Sequence, residues 1–431
     1  MMTVVCLAGC LPLMFLYLHQ YGTLLAPAAL FTAIWLFTVG LYFLGLVAYI
    51  QIDVTTWAMF AGSGLCFLLG CLLAHLYGGS DRGEARPSSG FDAEERRILW
   101  TLGLTVPLGL LGAAAYVVVV GRLIGYDSFL THPYLVRDLQ STDAFRAGFR
   151  WPRFLNYLNI FNVALGSYYL ARYRTGGSTK LVTGAVLVGF GTTLLAMDRT
   201  MPLAAITWGF FTAEFARGEG RGARRMLARL GVVAALSVGL FVIVASLLGK
   251  TLDNNRDAAS YVVVSAAYQP LVMPYIYLTG NIPAFQEFVR HTQGGSTQGL
   301  FLLLPAAKLM QLTVAPNVRI PEEVGDYYSV PFSFNTHTWL DVLWSDFGYV
   351  GLLCVPVMMG LGTTLLFLRT LRRPTLRVCM LCGLSCYIII NTVFVNKLVS
   401  TPLWEYAVLI VAISWGLTPP PEDANEIEET T

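Results

Sequence analysis

The sequence predicts an all-α integral membrane protein that crosses the bilayer many times. Three observations carry this. Of 431 residues, 55% are hydrophobic and only 13% charged, against roughly 45–50% and about 25% in ordinary soluble chains. Mean hydropathy is +0.61. Residues 1–77 hold a single charged side chain, Asp53. A large soluble protein would show one apolar face per helix rather than whole apolar segments, and a disordered chain would be far more polar. The net charge of +2 leaves no electrostatic footprint for nucleic acid.

A hydrocarbon core takes roughly 20 apolar residues in helix. About 11 segments (10–12) meet that demand: residues 2–18, 27–50, 57–77, 98–120, 154–171, 181–197, 200–216, 230–249, 348–368, 378–395 and 402–417. The first lacks the positive n-region of a signal peptide and reads as a helix. Orientation follows from Lys and Arg, which accumulate on the cytoplasmic side. Sixteen of the 28 fall within just 51 positions, in 78–97, 172–180, 217–229 and 369–377. These loops are expected inside, as is an acidic, disordered tail over 418–431, and the N-terminus outside. Residues 1–417 then form one transmembrane domain with two long extracytoplasmic loops, 121–153 and 250–347, where a water-soluble substrate would be met. Within the second loop, 261–280 and 300–314 are too short or too broken to span and read as re-entrant or interfacial.

The chain has no Walker sequence, HExxH or GxSxG, and no visible internal repeat, which weighs against a transporter built from repeated halves. Its eight cysteines lie in or beside apolar spans, so no disulfide framework is expected. Cys379, Cys382 and Cys386 lack His or carboxylate company and read as ordinary packing. No cluster has the composition of a metal site, and no cofactor is expected.

Three places could hold chemistry. Asp198 and Arg199 interrupt LLAMDRTMPLAAI between two spans. Either they pair with each other in a turn, or Arg199 faces a water-filled cavity and grips an anion, a task its planar fork suits. In FRAGFRWPRFLNYLN, Arg146, Arg150 and Arg153 sit among aromatics just before a span. They are snorkelling anchors or the seat of a lipid-linked phosphate. Loop 250–347 offers Arg256, Glu322, Tyr328, Asn335, His337, Asp341 and Asp346. Aromatic faces, amides and carboxylates suit sugar. His337 is a structural histidine or a general base, with Glu322 and Glu323 competing for the second role.

Three segments also resemble the oligosaccharide repeat-unit polymerases, the Wzy-type O-antigen polymerases, relatives of the O-antigen ligases. MDRTMPLAAI resembles the family's small-x-Arg-Ser/Thr stretch at the head of an apolar helix, with Asp198 where Gly or Ser is commoner. YIYLTGNIPAFQEF resembles a segment early in the large outer loop. FNTHTWLDVLWSDFGYVG looks like the Thr-aromatic and Asp-Phe-Gly-x-x-Gly approach to a late helix, with His337 where Tyr is more usual. The spacing Arg137 to Gly148 fits another family mark, but Arg372 to Gly383 fits equally well on the opposite side, so it carries nothing.

The resemblance implies a GT-C-like membrane glycosyltransferase, independent of metal, on the outer face of a bacterial inner membrane. It would join undecaprenyl-diphosphate-linked oligosaccharide units into O-antigen or a related polysaccharide, with membrane lipids and a chain-length regulator protein as partners. Implied roles are diphosphate binding for Arg150, Arg153, Arg199 and Arg256, and catalysis for His337, Arg199, Glu322 and Asp346. Tyr328 and Asn335 would bind sugar. An O-antigen ligase delivering glycan to lipid A–core shares the donor and layout. From another class, a polysaccharide flippase would favour charges lining many helices.

Overall fold

The computed structural model describes residues 23–78, 91–132, 134–140, 142–149, 152–173, 178–196, 200–218, 223–249, 259–263, 269–314, 320 and 326–415. Among these the chain is almost wholly helical. The expected segment 2–18 and the tail 418–431 lie outside them.

The helices, in chain order, are α1 (Pro27–Phe43), α2 (Val54–Gly78), α3 (Phe91–Ile124), α4 (Tyr126–Thr131), α5 (Tyr134–Gln140), α6 (Asp143–Phe149), α7 (Pro152–Arg172) and α8 (Thr179–Leu195). They continue with α9 (Thr200–Arg217), α10 (Ala223–Leu247), α11 (Gln269–Thr279), α12 (Asn281–His291), α13 (Leu304–Thr313), α14 (Leu340–Arg372), α15 (Leu376–Asn391) and α16 (Thr401–Ser414). The exception to helix is a two-stranded hairpin, β1 (Tyr328–Ser329) and β2 (Ser333–Phe334). Four helical stretches are long and apolar enough to cross a membrane: Val54–Gly78, Ala93–Ile124, Arg225–Leu247 and Leu340–Arg372. Their outer faces leave Leu65, Leu69 and Leu72 of α2, Leu236 and Ile243 of α10, and Leu353 and Met358 of α14 exposed. Apolar area on that scale belongs against lipid.

Packing is set by close backbone approach rather than by burial from water, as lipid-embedded helices require. α14 lies along α2. A Cβ on Gly70 would run into the Val357 carbonyl, and one on Gly360 into the Phe67 carbonyl. α7 sits between α3, α8 and α9 and carries a buried amide stripe, Asn156, Asn159 and Asn162. Asn159 donates to the Gly109 carbonyl at 3.0 Å, and Thr105 donates to Asn162 at 2.6 Å, tying α7 to α3.

One end of the bundle gathers the basic-loop flanks. Arg372 donates to the Gly78 carbonyl and Arg97 to the Trp415 carbonyl, the latter at 2.9 Å. Glu94 accepts from Tyr168 and Tyr173 at 2.7 and 2.9 Å, and Glu214 pairs with Arg217 and Arg229.

The expected span 27–50 is corrected by the structure. α1 stops at Phe43, because Gly45 adopts φ +64° and the Leu44 and Gly45 N–H groups fold back on the Leu41 and Tyr42 carbonyls. This is the left-handed glycine stop of a helix. The apolar residues beyond it are used sideways. Val47 bridges Val262, and it packs with Tyr275, Ile276, Val330, Phe332 and Phe334 of the large loop. Tyr49 hydrogen-bonds Thr279 at 2.9 Å, and Gln286 both accepts from the Asp53 N–H at 2.6 Å and donates to the Gln51 carbonyl at 3.1 Å. Burial pulls the Asp53 carboxyl upward. Bonds from Thr56 and the charge of Arg290, 3.3 Å away, outweigh that and hold it below the ordinary carboxylate range.

Loop 121–153 likewise has structure of its own. α4, α5 and α6 fold over the end of α3, enclosing Tyr116, Val120, Phe129, Val136, Leu139, Phe145 and Phe149. The half-apolar stretches of the second loop become the short helices α11 and α13.

Candidate functional site

His337 lies just ahead of α14, packed between aromatic rings. Its ring stacks on Phe288 of α12 at 4.9 Å and meets the edge of Tyr328 at 5.3 Å. The residue is fully buried, and among the described residues neither ring nitrogen has a hydrogen-bond partner. Nδ1 stands 3.5 Å from Asp341 Oδ2, in the first turn of α14. Burial, then the Asp326 carboxylate, raises the Tyr328 phenol above its ordinary value, so it stays neutral at working pH. The position is over-determined by backbone. Thr338, at φ 69°, bridges Val395, the Trp339 N–H donates to the Thr392 carbonyl at 3.0 Å, and Asn396 donates to the Trp339 carbonyl at 3.2 Å. An acceptor hydroxyl could reach His337 only with Tyr328 displaced.

Asp346, expected at the chemistry, has its oxygens engaged by the fold. It is 1% exposed and accepts from the Thr297 hydroxyl at 2.5 Å and from the Phe301 and Leu302 N–H groups at 3.0 and 2.7 Å. Two residues on, Gly348 takes φ 58°, ψ −139° and kinks α14, with the Gly294 backbone packed against it. The Asp-Phe-Gly run therefore fixes the loop over 295–303 and turns the helix. Three donors leave the carboxylate little capacity for sugar.

A second polar cluster forms where α7 and α16 begin. Arg153, in the first turn of α7, lies 5.8 Å over the Phe154 ring and interacts electrostatically with Glu405 of α16. Thr401 and Glu405 are one helical turn apart and share a face. Arg153 Nε, Thr401 Oγ1, Glu405 Oε2 and the Tyr406 hydroxyl are all buried with no hydrogen-bond partner among the described residues. Tyr406 is 4% exposed, packs on Trp208 at 4.8 Å and feels Glu405, Tyr157 and Tyr387. Lys397 Nζ sits 6.0 Å over the Tyr387 ring. Buried polar groups normally find partners, so four such atoms at the start of two neighbouring helices mark this cluster as a candidate site.

One segment, residues 392–400, joins the two places. It holds the Thr338–Trp339 backbone and carries Lys397, and the Leu398 carbonyl accepts from Trp404 of α16 at 2.7 Å.

Of the residues expected from sequence, His337 and Tyr328 are brought together and Asn335 stands half-buried beside them. Arg153 joins the second cluster. Arg150, Arg199, Arg256, Glu322 and Glu323 lie outside the described residues. Lys397, Glu405 and Tyr406 were not foreseen. The available signal was Glu405, the single charged side chain between residues 398 and 421, in a position where ionisable groups are costly and functional by default. Among the described residues no three His, Cys, Asp or Glu side chains gather as a metal site would require.

No family model matches the chain, and no curated protein or solved structure is similar to it.

Proposed function

We propose that the chain is a polytopic, GT-C-like glycosyltransferase with about 11 spans, facing the outside of a bacterial inner membrane, and that it polymerises undecaprenyl-diphosphate-linked oligosaccharide units. The observation that carries this reading is the Arg153–Glu405–Tyr406 cluster, a cation and orphaned polar atoms at the helix ends opposite the basic-loop flanks. A lipid diphosphate arrives at that depth, with its chain in the bilayer and its charge at the boundary. Arg153, with Lys397 and the arginines 150, 199 and 256 expected from sequence, supplies the positive charge.

In the transfer, the acceptor hydroxyl oxygen bonds to the anomeric carbon of the donor glycan. The bond from that carbon to the diphosphate oxygen breaks, and the lipid diphosphate leaves with the electron pair. Developing negative charge on the diphosphate is met by guanidinium groups held in place beforehand. The hydroxyl proton passes to His337, whose imidazolium Asp341 would stabilise. Tyr328 must swing aside for this, and its hairpin is the element that would move.

Surface glycan in the host strain is the test. Deletion should leave single units capping the core. Uncapped core would instead mean a ligase, and accumulated inward-facing lipid-linked units a flippase. Complementation with Arg199→Ala should fail to restore long chains while the protein accumulates normally. One lost charge-assisted bond is worth about 1.5–3 kcal/mol, roughly ten- to hundred-fold in rate. Full-length ladders from that variant would remove Arg199 from the diphosphate site.

A further inference from the structure

The geometry points to a neutral-sugar subsite on the outer face of the β1–β2 hairpin, separate from His337. Side chains alternate across a strand, and the register pairs Tyr328 with Phe334 and Ser329 with Ser333. Tyr328 and Phe334 turn inward, toward His337 and the loop core. Ser329 and Ser333 are exposed on the other side. The hairpin thus has an aromatic face and a hydroxyl face.

The hydroxyl face opens on a cavity of about 400 Å³ lined by Ser260, Tyr261, Tyr327, Ser329, Phe332 and Ser333, with Pro331 at its turn. That volume lies in the range of small-molecule sites, roughly 300–1,000 Å³. Its far wall is fixed, because the Tyr261 carbonyl accepts from the Ala48 N–H at 2.9 Å and Val262 bridges Val47. Tyr327 is 57% exposed and Tyr261 38%, so two aromatic rings are held open to solvent. Ser329 donates its proton to the Pro331 carbonyl at 2.6 Å, which leaves its oxygen free to accept.

Aromatic faces for C–H surfaces and serine oxygens for hydroxyls are the chemistry that recognises a pyranose. Among the described residues, no Lys, Arg, His, Asp or Glu lines the cavity. An acidic sugar would find no counter-charge among these residues, and the class they fit is neutral hexose or N-acetylhexosamine. This deepens the proposed function by naming a substrate class and rests on it for the biological role, but the binding itself can be read independently.

The experiment applies the purified full chain, in lipid nanodiscs, to an array of neutral oligosaccharides and of oligosaccharides containing uronic or sialic acid. Binding should be confined to neutral glycans. The double variant Tyr261→Ala/Tyr327→Ala should weaken it about ten-fold or more, the equivalent of ~1.4 kcal/mol. Tyr261→Phe/Tyr327→Phe, which keeps both rings, should retain most of it. If the double alanine variant fails to fold, Tyr327→Ala alone carries the test. Binding only to acidic glycans, no binding to any neutral glycan, or neutral binding untouched by the alanine variant would overturn the subsite. Neutral binding in a chain whose deletion leaves host glycan length unchanged would keep the subsite and sink the polymerase. Altered chain length without neutral binding would do the reverse.

Discussion

Asp346 and Glu405 are both carboxylates withdrawn from solvent, and they differ in what surrounds them. Asp346 is met by a hydroxyl and two backbone N–H groups, whereas Glu405 keeps an oxygen with no partner among the described residues, near a guanidinium whose Nε is equally alone. A saturated buried carboxylate is architecture, since its charge is already solvated by the fold. One left short is a costlier placement, and a test of function separates it from the first. Both are acidic, and what separates them is the fuller burial of Asp346 together with its hydrogen-bond inventory.

The sharpest way to extend that contrast is His337, which resembles Glu405 in its empty inventory. If it is the base, His337→Gln, which keeps most of the buried volume, should lower polymerisation about 10²–10⁴-fold with a much smaller effect on unfolding temperature, measured with lipid-linked units and by thermal unfolding. Parallel loss of stability and activity would place it with Asp346 instead.

Asp346→Ala should break architecture. It strands three donors, each costing about 1–3 kcal/mol when buried and unpaired, so the variant should melt earlier or fail to accumulate. Normal accumulation together with lost activity would reverse the assignment.

Glu405 should behave in the opposite sense. Glu405→Gln puts a neutral amide of the same shape in place of a carboxyl group whose hydrogen bonding is incomplete, and the stability change should be neutral or favourable, with activity reduced. Arg153→Lys keeps the charge but loses the fork, so chain extension should fall roughly ten-fold or more. A silent Arg153→Lys would make that residue an anchor at the interface.

The smallest effect is expected where charges meet in water. The Asp53 carboxyl is held below its ordinary range, so the stability it adds is present above its unfolded pKa and fades as pH falls through the folded value. The pair with Arg290 is half exposed and screened, so Arg290→Ala should cost less than about 1 kcal/mol. It should also flatten the acid limb of the unfolding profile.

What could be read in advance follows from how local each signal is. Whole apolar segments announce helices, and helices occupy the expected segments from residue 27 onward. The 44–50 run failed, because its composition suits lipid and protein core equally, and only the φ of Gly45 and the docking of Val47 on Val262 decide. Arg153 and His337 were visible as ionisable residues beside spans. Glu405 is as anomalous in sequence, but its meaning depends on Arg153, more than 200 positions away. The three donors to Asp346 come from a loop whose contacts no spacing reveals. The stripe Asn156, Asn159, Asn162 is periodic in the sequence, yet its partners Thr105 and Gly109 lie on another helix.

α10 leaves Val232, Leu236, Ile243 and Leu247 exposed and lies at the rim, against α9 and α11. For most of its circumference the acyl chains are its packing partners. Detergent extraction therefore exchanges the larger share of that helix's surroundings while barely touching α7. Solubilised protein should lose α10 first, and stability in thin- and thick-chain lipids should differ through this helix before any other. The choice of lipid in a reconstitution is accordingly a choice about α10.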